Sequence, residues 1–85
     1  MKTILRYPFK IAGKIEIEMP GDARVLTVQA HRGVPCMWAE VHLGNDAEVR
    51  DFRIYEAMDE MEIGLVYVGS FQMNKLVLHL YEKVR

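Results

Sequence analysis

Nucleophiles are scarce in this 85-residue chain: one cysteine, one serine and two threonines. A single cysteine, Cys36, excludes an intramolecular disulfide framework. Set between Pro35 and Met37-Trp38, it reads as a small buried hydrophobe. Ser70, in Val68-Gly69-Ser70-Phe71, lacks the G-x-S-x-G elbow of hydrolases. The six glycines are scattered at turn positions, and none builds a phosphate-cradling loop that opens a helix. Metal-ligand spacings such as H-x-x-x-H, C-x-x-C and H-E-x-x-H are missing too. Glu40 and His42 share strand parity and His31 could approach them, but His79 belongs to another hairpin. No cofactor, metal or catalytic residue is expected, and an enzyme is the least favoured class.

Long apolar runs are lacking as well. The longest mainly apolar stretch, Ile63 to Gly69, falls far short of the ~20 residues that span a bilayer. Met1-Lys2-Thr3-Ile4-Leu5 runs into Arg6 with no apolar leader segment, so a soluble cytosolic protein is expected. Net charge is only −1, which gives no global attraction to nucleic acid or to an acidic membrane. Direct nucleic-acid binding is therefore disfavoured.

What is present is apolar residues at strand spacing. Hydrophobic side chains make up 51 % of the chain, enough to exclude disorder, and the length allows one domain, residues 1–85. Lys14-Ile15-Glu16-Ile17-Glu18-Met19 alternates cleanly, which places Ile15, Ile17 and Met19 inward, and stops at Pro20-Gly21-Asp22. Lys2 to Tyr7 reads as a strand ended by Pro8, and Arg24 to His31 as a third. Arg32-Gly33 turns into a fourth, Pro35 to Leu43. After Gly44-Asn45-Asp46, Glu48 to Tyr55 is expected to return beside it. Leu65 to Met73 and Lys75 to Tyr81 meet at Asn74, which tolerates left-handed backbone. Glu56 to Ile63 has helix-forming content, yet its acids would crowd the negative end of a helix dipole, so at most one helical turn is expected around residues 56–62. The expected fold is all-β: a small meander-type barrel or sandwich of about seven short strands.

Two features point to partners. Leu76 to Tyr81, Leu65 to Val68 and Cys36 to Ala39 are apolar on both strand parities, more than one small core can bury. A homo-oligomer, most simply a dimer, would cover the surplus; the alternative is a barrel whose own Phe9 and Ile11 fold over the outside. Charge is also segregated. Residues 40–62 carry eight acids against Arg50 and Arg53, a net of −6, while the remainder is +5. Within that acidic stretch Glu56, Met58, Asp59, Glu60, Met61 and Glu62 form the best candidate for partner binding, since methionines adapt to varied surfaces and carboxylates steer them to a basic protein. Met58 and Met61 could instead plug the end of the fold. For a small-molecule ligand, Arg32, Arg50 and Arg53 could hold phosphates while Trp38 or Tyr55 stacks on a base.

Leu26-Thr27-Val28-Gln29, Gly33 to Ala39, Phe52-Arg53-Ile54-Tyr55 and Tyr67 to Gln72 together resemble the short uncharacterised proteins of tailed-bacteriophage and prophage genomes. Arg6-Tyr7-Pro8-Phe9, Met19-Pro20-Gly21 and Leu76 to Glu82 extend the resemblance over almost the whole chain. It departs from that pattern at Glu56-Ala57-Met58, where relatives carry a glycine-containing turn. The resemblance implies a phage accessory protein in the host bacterial cytoplasm, with no catalytic residues to transfer. The expected function is a non-enzymatic protein that binds and inhibits a host factor, such as a bacterial defence component. An oligomeric sponge for a nucleotide immune signal is the first alternative, and a minor virion or assembly protein the second.

Overall fold

A computed structural model describes residues 1–84, with seven strands and no helix among them. They are β1 (Lys2–Pro8), β2 (Lys14–Pro20), β3 (Arg24–His31), β4 (Val34–His42), β5 (Ala47–Tyr55), β6 (Leu65–Met73) and β7 (Leu76–Lys83). Two antiparallel sheets form, ordered β1-β4-β3 and β2-β5-β7-β6. They do not close into a barrel, so of the two expected architectures the sandwich is the one present.

The meander expectation needs correction. Only β3–β4 and β6–β7 are hairpins between neighbours in one sheet; β5 does not return beside β4 but crosses to the opposite sheet and pairs with β2. The turn residues mark where the chain reverses, not which sheet receives it. Here two turns are stitched together: Gly21 N–H donates to Asp46 O at 2.7 Å, and the Asn45 side chain donates to Gly21 O at 2.7 Å. That bond pair ties the β2–β3 turn to the β4–β5 turn and carries the chain across.

The inward faces meet in a core that includes Met37, Ala39 and Val41 of β4 against Phe52, Leu80 and Phe71. Phe9 is buried there, its ring edge-on to Phe71 at 6.0 Å, rather than folded over the outside; Ile11 is exposed. Gly69 lets β6 approach β3 closely, because a Cβ built on it would stand 3.3 Å from Val28 Cγ1. Tight turns use left-handed backbone at Arg32-Gly33, where both residues have positive φ, and at Asn74.

Candidate functional site: the acidic crossover loop

β5 and β6 lie in one sheet with β7 between them, so residues 56–64 must cross β7. They form a turn-containing loop, not a helix. Its first part is closed by two bonds: Glu56 N–H donates to Asp59 Oδ2 at 2.8 Å, and Asp59 N–H to Glu56 O at 3.2 Å. Its second part is anchored to the outer face of the sheet. The Glu62 carboxylate accepts from Arg53 Nε and from Lys83 Nζ at 3.1 Å, and Lys83 Nζ also donates to Ile63 O at 2.8 Å. Hydrogen bonding from Lys83, with Arg53 adding to it, holds the Glu62 carboxyl below its ordinary pKa. Glu62 is thus a strut of the loop.

Met58 stands inside the first part of the loop, the turn of residues 56–59. Its side chain is 100 % exposed and its backbone sits at φ 76°, a left-handed conformation uncommon for a residue without Asn, Asp or Gly chemistry. Met58 does not plug the sandwich, and Met61 is exposed as well. Glu60 is exposed beside them. Next to the loop an apolar recess of about 320 Å³ opens at the end of the sandwich, floored by Ile54, Met73, Leu76 and Leu78, with Glu56 and Asp59 on its rim. Apolar walls under carboxylates suit the stem and head of a lysine or arginine side chain. The composition pointed to the loop; the recess was illegible because its walls come from three stretches far apart in the chain, residues 11–13, 54–59 and 73–78.

The residues considered for a small ligand divide between the two sheets. Arg50 is engaged by Glu82 through two hydrogen bonds, one of 2.9 Å, and donates a third to Ala23 O at 2.7 Å. Donating to the Glu82 carboxylate pushes the Arg50 pKa up, fixing the charge in place. Arg53 is held by Glu62. Tyr55 stacks edge-on with Tyr81 at 6.0 Å, within an aromatic row that continues to Tyr67 and His79 on the outer face of β6 and β7. Arg32 and Trp38 lie in the other sheet, so one chain does not bring all five together. Sequence reasoning passed over Arg6, which sits directly opposite Trp38 in the β1–β4 register; the Lys2, Ile4, Arg6 alternation on β1 was the signal available.

No group of three or more His, Cys, Asp or Glu is placed to hold a metal among the described residues. No described helix is long and apolar enough to cross a membrane. The model of a domain of unknown function, DUF7352, matches residues 1–85. The chain belongs to this family. No curated protein and no solved structure matches it.

Proposed function

We propose that this DUF7352 protein is a non-enzymatic binding protein whose acidic crossover loop captures a basic surface on another protein. The observation that carries the reading is Met58: a fully exposed apolar side chain held on left-handed backbone inside the hydrogen-bonded turn of residues 56–59. Backbone of that kind costs roughly 1–3 kcal/mol per residue and is concentrated where function uses it. Glu56, Asp59 and Glu60 supply attraction, the adjoining recess supplies apolar contact, and the Glu62 strut orders the loop before binding, which lowers the entropy lost on association.

The resemblance to phage and prophage proteins extends the reading: the partner is a host factor in the bacterial cytoplasm, such as a defence component, and binding blocks it. A second copy of the chain is the partner assigned to the outer face of β6 and β7, where Tyr67 is 54 % and Val77 52 % exposed. An apolar sheet face of this sort suits a twofold dimer.

The test is affinity capture from phage-infected bacteria, with wild-type protein compared against Met58→Ser/Glu60→Lys. Neither residue makes a hydrogen bond or ion pair within the described chain, so the variant should melt like wild type while losing the captured protein. Equal capture by both would remove the loop from consideration.

A further inference from the structure

The overall charge near zero averages over two unlike faces. On the outer face of β1-β4-β3, the register places Arg6 and Thr27 on either side of Trp38, with Ile4-Glu40-Arg24 in the next row and Pro8-Cys36-Gln29 in the row beyond. Lys2, Arg6 and Arg24 on this face, together with Arg32 at its end, stand against one carboxylate. That carboxylate, Glu40, is already shared by Lys2 at 3.3 Å and Arg24 at 3.7 Å. Arg6 and Arg32 have no carboxylate partner among the described residues.

Both line a recess of about 260 Å³ together with His31, Pro8, Val34 and the buried Cys36. No acid lines it. Arg32 reaches it from the first central position of the two-residue β3–β4 hairpin, at φ 52°. That position favours Asn, Asp or Gly on backbone grounds, so the turn itself does not call for an arginine there. His31 meets Trp38 edge-on at 6.1 Å, which links the cationic recess to the half-buried indole.

We infer that this face binds a nucleotide phosphate, with Arg6 and Arg32 on the phosphate oxygens, His31 on the recess wall, and the neighbouring base over Trp38. Guanidinium groups match phosphate oxygens in a forked geometry, and an indole offers a base a stacking surface that does not depend on its identity. A free nucleotide and a phosphodiester within a single strand present the same chemistry. This site lies on the opposite sheet from the acidic loop and stands or falls independently of it.

Trp38 is the only tryptophan, so its fluorescence reports directly on occupancy. The probes are thymidine monophosphate and a labelled single-stranded oligothymidylate about ten nucleotides long, followed by anisotropy and by Trp38 quenching, with polyglutamate as the acidic-peptide control. Saturable quenching by either probe is expected. Tighter binding of the oligonucleotide identifies a phosphodiester strand, and equal binding a free nucleotide. With two phosphate contacts, affinity for the strand should fall about sevenfold between about 50 and about 200 mM salt. Arg6→Gln and Arg32→Asn should each weaken binding about tenfold. Asn suits the turn, so Arg32→Asn keeps the fold while removing the guanidinium. The inference is overturned if neither probe binds at millimolar concentration, if binding leaves Trp38 unquenched, if the two variants bind like wild type, or if polyglutamate binds as well as the oligonucleotide.

Discussion

Met58 and Glu62 are four residues apart on one loop, both candidates on composition, and the structure gives them opposite work. Glu62 spends its carboxylate on Arg53 and Lys83, whereas Met58 spends nothing on its own protein. Left-handed backbone costs a residue with a Cβ about 1–2 kcal/mol, against roughly 0.5–1 kcal/mol of extra chain entropy lost when glycine is ordered. Met58→Gly should therefore leave the protein about 0.5–1 kcal/mol more stable in urea unfolding, while partner capture declines. A destabilised variant would mean that Met58 contributes contacts within its own fold and is not held ready for a partner. Asn74 and Arg32 adopt comparable backbone. Asparagine announces that role in the sequence by itself, whereas Arg32 was readable as a turn residue only through the Gly33 that follows it.

At the scale of elements, strand spans were legible because Ile15, Ile17 and Met19 alternate with charges and because Pro8 and Gly21 interrupt. Pairing was not, because the bond from Gly21 to Asp46 joins positions far apart in the chain. Glu62 is a titrating strut that ties the second part of the crossover loop to the sheet. Since the folded Glu62 pKa is depressed, its contribution is fully present above the ordinary carboxylate range and is lost as pH falls through the folded value. Hydrogen exchange at the amides of residues 60–64, after correction for intrinsic rates, should accelerate as pH falls below the ordinary carboxylate range and Glu62 takes up its proton. Glu62→Gln should exchange fast throughout and show no such step. A wild-type loop insensitive to that fall would show that other contacts order it.

For the whole molecule, the sandwich sorts chemistry by face. Cations collect on the outer face of β1-β4-β3, while the opposite sheet carries the aromatic row, and the acidic loop crosses it. The aromatic row bears on self-association. Tyr67 and Val77 are about half exposed on neighbouring strands, and a second copy docked there would remove them from water. Sedimentation velocity should find a dimer, and Tyr67→Lys/Val77→Lys should convert it to a monomer with the same far-ultraviolet spectrum. A wild-type protein that is monomeric at about 100 µM would leave this face without its assigned partner, since a useful twofold interface holds well below that concentration.

The amino-acid sequence by itself determined that the protein is all-β, roughly where each strand begins and ends, and that Glu56 to Ile63 holds at most one helical turn. Those properties follow from side-chain period and from residues whose backbone preferences act over two or three positions. Only the tertiary structure decided that β4 and β5 belong to different sheets, that Glu62 is tied to Arg53 and Lys83 on the outer face, and that Arg6, His31 and Arg32 line one recess. Each of those depends on which distant segments come to lie side by side, and local periodicity carries no record of that.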